Sequence, residues 1–152
     1  MAATALYNVI AGVSVEGRST FDKVNPVDGS LVAQVHEAGP EIVDAAVRAA
    51  RSALEGPWGR MTVSQRVALL RKVADRIDER FDDFVVAEVA DTGKPVQLAR
   101  DLDVARAAMN FRSFADTIAN AGVDAYLTEF ADGGKALNYA VNKPLGVVAV
   151  IV

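Results

Sequence analysis

The chain has 152 residues, of which 51% are hydrophobic and 24% are charged, so it can bury a core and is not expected to be disordered. Its net charge of -4 argues against a nucleic-acid-binding surface, and its lack of cysteine excludes disulfides, thiolate metal sites and a cysteine nucleophile within it. We expect no metal site, because His36 is the single histidine, and we expect a cytoplasmic protein, because no apolar run reaches the roughly 20 residues of a membrane span.

The first forty residues have the composition of β-structure. Residues 7–15 are mostly apolar and β-branched, and residues 21–24 and 31–35 are two further short strand candidates. Between these two lie residues 25–29, with the sequence N-P-V-D-G, in which proline fixes φ and glycine accepts a positive φ. The pattern predicts a hairpin or a small meander.

A first helix is predicted to begin at Pro40, because proline suits the first helical position, and to end at the Gly56-Pro57 break. Its apolar residues share one narrow face that lets another element approach closely. They are Ile42, Ala45, Ala46, Ala49, Ala50 and Ala53.

Two longer helices follow. The second begins at Thr62, where Gln65 can complete a capping box, and it continues to Gly93 with a bend near residues 82–83. Glycine, lysine and proline at positions 93–95 are explained by a helix C-cap and a stop, which we favour over an anion-binding loop. The third helix is predicted over residues 96–121.

The remaining chain returns to β-structure. Residues 124–130 and 137–142 flank a Gly-rich turn and predict a hairpin. Residues 147–152 form an unbroken apolar run, which fits a strand buried on both faces of a parallel sheet. The alternative is that this run pairs with the N-terminal strands and completes the domain. We favour the first interpretation, in which the chain is unfinished.

Three segments carry recognisable patterns: residues 88–95 have the sequence E-V-A-D-T-G-K-P, residues 110–116 follow on the third helix, and residues 142–148 have the sequence N-K-P-L-G-V-V. Together they resemble the aldehyde dehydrogenase superfamily. The first resembles its E-x-x-D-x-G-K-P stretch, the second resembles the helix that follows, and the third resembles the entry to the first strand of its cofactor fold. Within the family the chain resembles bacterial enzymes that act on 2-hydroxymuconic or 2-aminomuconic semialdehyde in aromatic-ring degradation.

The resemblance implies an α/β fold that corresponds to the N-terminal part of the family fold. Residues 1–123 would be the N-terminal portion of the NAD-binding domain, and residues 124–142 an oligomerisation hairpin. Residues 143–152 would lead into the first strand of a Rossmann-like sheet, and the chain would end before the catalytic part.

The family oxidises an aldehyde to a carboxylic acid with NAD or NADP, through a catalytic Cys and a general-base Glu. Both would lie beyond this sequence, so we expect no catalytic residue, no activity and no bound cofactor in this chain alone. The expected partners of the parent enzyme are a small aldehyde and, through residues 124–142, a second copy or a full-length relative. The alternative is a non-catalytic assembly module derived from the family.

Arg112 is the candidate for substrate binding. At 3.6 residues per turn, its guanidinium lies on the apolar stripe of the third helix beside Ala105 and Ala108, where a charge needs an anionic partner or a wet cavity. In relatives whose substrates carry a carboxylate, an Arg on this helix looks towards that group, and bidentate geometry suits the task. A structural ion pair with an acidic residue of another segment is the equal alternative.

The resemblance adds two further sets of candidate residues. Ile151 and Val152 would border the cofactor at the end of the first dinucleotide-fold strand. The residues expected to join subunits are the apolar and aromatic members of the hairpin, Tyr126, Phe130, Leu137, Tyr139 and Val141.

Overall fold

The computed structural model describes residues 4–151 and confirms the α/β class. Five strands precede the helices: β1 (Thr4–Leu6), β2 (Asn8–Ile10), β3 (Val13–Val15), β4 (Thr20–Val24) and β5 (Leu31–His36). The helices are α1 (Pro40–Ala53), α2 (Pro57–Arg60), α3 (Val63–Glu79), α4 (Phe81–Thr92), α5 (Val96–Leu98) and α6 (Ala105–Ala119), with a π-helical segment, Ala99–Val104, before α6. A ribbon of β6 (Ala125–Glu129) and β7 (Lys135–Tyr139) follows.

The N-terminal strands form two small sheets. Strands β4 and β5 pair antiparallel across residues 25–29, which confirms the predicted hairpin, and β1 adds to the other edge of β5 in parallel. The mostly apolar residues 7–15 fold into the separate β2–β3 hairpin. Its turn holds Ala11 and Gly12, both at positive φ, and this reverses the chain after three residues.

The predicted helix starts depend on local chemistry and are confirmed. Pro40 is the first residue of α1, after an extended Gly39. At α3, the Thr62 hydroxyl accepts a hydrogen bond from the Gln65 backbone N–H at 3.2 Å, and the Gln65 amide oxygen accepts one from the Thr62 backbone N–H at 2.8 Å. Two N–H groups that the helix cannot satisfy internally are thereby bonded.

Replacing Thr62 by Ala removes one of these two capping bonds. We expect Thr62→Ala to lower the free energy of unfolding by about 1 kcal/mol, measured by urea denaturation. Thr62→Ser keeps the hydroxyl and is the matched control. An equal loss in both variants would show that the cap does not contribute.

The helical stretch after α3 bends earlier than predicted. The break falls at Arg80, whose φ of -112° and ψ of 25° leave the helical region, and not at residues 82–83. The predicted C-cap at Gly93 is confirmed, with a left-handed φ of 70°. A β-carbon at Gly93 would lie 2.8 Å from Cγ of Pro26, so glycine also lets the turn 25–29 pack against the end of α4.

The third predicted helix is one helical run with an irregular centre. It begins at Val96 as expected and ends at Ala119, two residues before the predicted end. The π-helical segment adds one residue to a turn, and both Ala99 and Val104 within it are buried against Val85 of α4. Small side chains at Ala74, Ala108 and Ala115, all nearly inaccessible to solvent, let α3 and α6 pack closely.

The C-terminal part confirms the ribbon but not the final strand. Residues 147–151 have no regular structure. A strand buried on both faces needs neighbouring strands to bond its backbone, and no described strand forms ladder hydrogen bonds with these residues. Within the described part of the chain these residues do not pair with the N-terminal strands either, which was the alternative interpretation, although Val147 and Val148 lie close to β2 and α1.

None of the helices within residues 4–151 is long and apolar enough to cross a bilayer.

Candidate functional site

Arg112, the predicted substrate residue, bridges two helices. From α6 its Nη2 donates to Oδ1 of Asp75 at 2.8 Å and to Oδ2 of Asp78 at 2.7 Å, both on α3. Asp75 and Asp78 are three residues apart, so their carboxylates lie on the same face of α3. The structural ion pair that the sequence left as an alternative is therefore formed.

A second ion pair with the opposite direction lies nearby. Arg71 of α3 donates from Nη2 to Oδ1 of Asp116 on α6 at 2.7 Å. We call these five residues the ion-pair seam: Arg71, Asp75, Asp78, Arg112 and Asp116. The seam joins α3 and α6 along one side of their alanine interface. Sequence periodicity identified the charge at Arg112 but not its partners, because partners on another helix leave no local pattern.

The charges around Arg112 decide what else could bind there. The hydrogen bonds that Arg112 donates to Asp78 and then to Asp75 raise the pKa of its guanidinium above the usual value, so it remains a cation. One guanidinium beside two carboxylates leaves a net charge of about -1, which disfavours a further anion. All three side chains are at least 40% exposed, so solvent screens these interactions. A substrate carboxylate would have to share Arg112 with the two aspartates, and its binding there stays a prediction.

A second charge cluster lies at the C-terminal end of α4. Lys94 Nζ is 2.8 Å from Oε1 of Glu88 and 2.6 Å from Oδ2 of Asp103 in the π-helical segment. Hydrogen bonds to Asp103 and then to Glu88 raise the pKa of Lys94. The sequence pattern explained Lys94 only as part of a helix C-cap and stop. The structure shows that it also ties α4 to the π-helical segment.

A cleft of about 430 Å³ separates the β1–β5–β4 sheet from α4. Its walls are mainly apolar, with Ala33 on the sheet and Phe84 on the helix. At its rim Lys23 Nζ is 2.9 Å from Oδ1 of Asp91. The described lining residues include no Ser, Cys or His, and the Lys23 ammonium is held in its ion pair with Asp91.

The predicted subunit-joining residues are exposed and divide between two faces of the ribbon. Tyr126 pairs with Asn138, whereas Leu127 pairs with Leu137, so Tyr126 and Leu137 point to opposite sides. Phe130 and Val141 lie just beyond the two strands, and Tyr139 is the last residue of β7. These five side chains are 53–68% exposed. The prediction grouped these residues as one set, but their side chains belong to both faces of the ribbon.

The connection between β5 and α1 does not fit the phosphates of a dinucleotide. Such a site needs a Gly-rich turn between a strand and a helix N-terminus, where backbone N–H groups bind phosphate. The connection from β5 to α1 instead carries Glu37, and the Glu41 carboxylate lies over Gly39 at the start of α1. Ile151 is 95% exposed, and Val152 lies outside the described residues, so their cofactor contact stays a prediction.

Comparison with protein-family models matches residues 13–152 to the aldehyde dehydrogenase family. A 2-aminomuconic 6-semialdehyde dehydrogenase from Pseudomonas sp. is 53% identical over 144 residues, which cover 95% of this chain and 29% of that protein. A 2-hydroxymuconic semialdehyde dehydrogenase from Pseudomonas sp. strain CF600 is 53% identical over 91% of this chain and 28% of its own length. The chain thus spans less than a third of these relatives.

The folds agree as well. The NAD⁺ complex of an aldehyde dehydrogenase from Bacillus cereus superposes with a TM-score of 0.77 at 37% identity. The superposition covers 80% of this chain and 26% of the Bacillus chain. The fold of this chain is therefore that of the N-terminal portion of solved aldehyde dehydrogenases.

Proposed function

The chain belongs to the aldehyde dehydrogenase family, and we propose that it is the N-terminal part of an NAD(P)-dependent enzyme that oxidises a muconic-type semialdehyde. The observation that carries the proposal is the 53% identity to two Pseudomonas semialdehyde dehydrogenases over more than nine-tenths of the chain. The overall reaction consumes the aldehyde, water and NAD(P)⁺ and yields the carboxylic acid, NAD(P)H and a proton. NAD is the expected cofactor, with NADP as the alternative, and the cytoplasm is the expected location.

The exposed surface of the chain supports its role as one part of a larger protein. Its accessible surface is 11594 Å², whereas a compact protein of 16.1 kDa exposes about 7,400 Å². Large apolar side chains on α6 and the ribbon contribute to the excess, among them Phe114 and Leu137 at 65% and 68% exposure. If further polypeptide covered these faces, the burial of their apolar side chains would stabilise the folded protein through the hydrophobic effect.

Within that enzyme we assign Arg112 to the carboxylate of the substrate. A muconic semialdehyde carries both an aldehyde and a carboxylate, and a guanidinium can bind the latter through two parallel N–H donors. Both hydrogen bonds of Arg112 to Asp75 and Asp78 use Nη2, so a substrate carboxylate could bind through the other donors of the guanidinium. The two aspartates would then orient Arg112.

We further propose that residues 124–142 join this protein to a second copy or to a full-length relative. Both edges of the β6–β7 ribbon are free in the described structure, and apolar side chains occupy both of its faces. An exposed ribbon of this kind can extend a sheet of another subunit. A non-catalytic assembly module would use the same surface without the reaction.

A fusion protein tests the proposed function. The chain replaces the matched N-terminal part of the strain CF600 enzyme, and NADH formation from 2-hydroxymuconic semialdehyde is measured. We expect activity from the fusion and none from the 152-residue chain alone, because this chain contains no cysteine to form the covalent intermediate. A folded fusion that forms no NADH would favour the assembly module.

A further inference from the structure

The chain contains two exposed Asp-Gly pairs in turns, Asp28–Gly29 and Asp132–Gly133. In such a pair the backbone nitrogen of glycine can attack Cγ of the preceding aspartate, because glycine has no β-carbon to hinder the approach. The attack forms a C–N bond and expels the carboxyl oxygen as water, which leaves a five-membered succinimide. Water then opens the ring to aspartate or to isoaspartate. The reaction is a rearrangement that needs no oxidant, reductant or catalyst.

The turn at Asp28–Gly29 is held by many contacts. Gly29 N–H donates to the Asn25 carbonyl at 2.8 Å, and Asn25 N–H donates to the Ser30 carbonyl at 2.8 Å. Oδ1 of Asp28 accepts from the Ser30 hydroxyl at 2.7 Å and from the Ser30 N–H at 2.9 Å. Pro26 and Val27 of the same turn pack on Gly93 at the end of α4. Both the nitrogen and the carboxylate of the pair are thus restrained.

The chemistry of the Asp28 carboxyl adds to this restraint. The hydrogen bonds from the Ser30 hydroxyl and backbone lower the pKa of Asp28, so it is ionised to a lower pH than usual. An ionised carboxylate is a poor electrophile, since it cannot lose its oxygen as water without first gaining a proton. Asp28 is therefore the internal reference of low reactivity.

The turn at Asp132–Gly133 has fewer restraints. Its bonds are local to residues 130–134: Gly133 N–H donates to the Phe130 carbonyl at 3.0 Å, and among residues 4–151 Oδ1 of Asp132 accepts only from the Gly134 N–H, at 2.9 Å. A single further bond, from Phe130 N–H to the Gly134 carbonyl, closes the turn. The ribbon makes few contacts with the described helices, so opening the turn disturbs no core.

We propose that Asp132–Gly133 at the tip of the ribbon is a site of spontaneous succinimide and isoaspartate formation, whereas Asp28–Gly29 is protected by its contacts. An isoaspartate at position 132 runs the main chain through Cβ and Cγ and adds one atom to the turn. The Phe130–Gly134 bond cannot then close with the same geometry. Isoaspartate would therefore accumulate in the β6–β7 ribbon with time. A methyltransferase that recognises isoaspartyl carboxylates could then methylate the residue at position 132.

Peptide mapping of the aged chain tests this proposal. The 152-residue protein is incubated at neutral pH and 37 °C, and isoaspartate is located by chromatography and by methyl transfer from S-adenosylmethionine with an isoaspartyl methyltransferase. We expect several-fold more isoaspartate at Asp132 than at Asp28. In urea, where the contacts of both turns are lost, we expect the two sites to react at similar rates.

Two variants serve as controls. Asp132→Glu disfavours the five-membered ring and should remove the signal at the ribbon tip, whereas Asp28→Glu should leave that signal unchanged. Equal accumulation at both sites in the native protein would overturn the proposal, as would a native protein with no isoaspartate at Asp132 after the urea sample has reacted. Isoaspartate that appears first at Asp28 would also contradict it.

Discussion

Replacing Gly59 by alanine is expected to lower the free energy of unfolding by about 3 kcal/mol. A β-carbon at Gly59 would lie 1.7 Å from the carbonyl oxygen of Leu54, a backbone atom that a rotamer change cannot move. The connection between α1 and α2 must therefore shift, and the positions of Pro57 and Trp58 shift with it. Arg66 donates to the carbonyls of Trp58 and Gly59, so the shift also weakens the contact with α3.

Gly56→Ala in the same connection is the matched control. A β-carbon there meets nothing nearer than 3.5 Å, and Gly56 has a φ of -81°, which alanine adopts without strain. Urea denaturation followed by circular dichroism compares the two variants with the parent chain. Similar unfolding free energies for Gly56→Ala and Gly59→Ala would show that the close approach to Leu54 does not restrict this position.

Arg112→Ala in the fusion protein is expected to raise KM for 2-hydroxymuconic semialdehyde about tenfold, which corresponds to the loss of a hydrogen-bonded charge pair. KM for a neutral aldehyde should not change, because that substrate has no carboxylate for Arg112 to bind. Both values are measured by NADH formation. The split between substrates separates carboxylate recognition from a general effect of a destabilised enzyme.

The ion-pair seam provides the control for this experiment. Arg71→Ala removes the guanidinium that donates to Asp116 across the same two helices. This substitution should leave both KM values unchanged. If Arg112→Ala and Arg71→Ala give the same KM values with both aldehydes, Arg112 only links α3 and α6, and the proposed role in substrate binding is wrong.

Features set by neighbouring residues could be predicted from the sequence. The capping box of Thr62 and Gln65, the start of α1 at Pro40 and the left-handed cap at Gly93 each depend on a few adjacent residues. The residues 25–29 likewise close the β4–β5 hairpin where the turn chemistry indicated. In each case the interaction that fixes the structure lies within one turn of chain.

Features set by distant partners could not be predicted. Strand β1 owes its existence to parallel pairing with β5, some thirty residues away, and three residues carry no periodic signal. The π-helical segment is fixed by its packing on Val85 and by the Lys94–Asp103 ion pair. The same holds at the candidate site, where periodicity placed Arg112 on the apolar stripe of its helix but gave no indication of Asp75 and Asp78.

The apolar run at residues 147–152 shows most clearly that composition alone does not predict a strand. Its composition predicted a buried strand, yet residues 147–151 remain irregular, with Ile151 at 95% exposure. A strand forms only when neighbouring backbones bond to it, so β propensity alone does not produce one. In the proposed enzyme, the remaining polypeptide would supply those neighbours.

The intact mass of the protein isolated from its source, combined with peptide sequencing beyond Val152, tests the central claim most directly. The chain has a mass of 16.1 kDa and covers 29% of its Pseudomonas relative, so the account predicts a species of roughly three times that mass. That species should contain a catalytic cysteine and form NADH from a muconic semialdehyde. A mature protein of 16.1 kDa alone would contradict the account and would favour an assembly module over an enzyme.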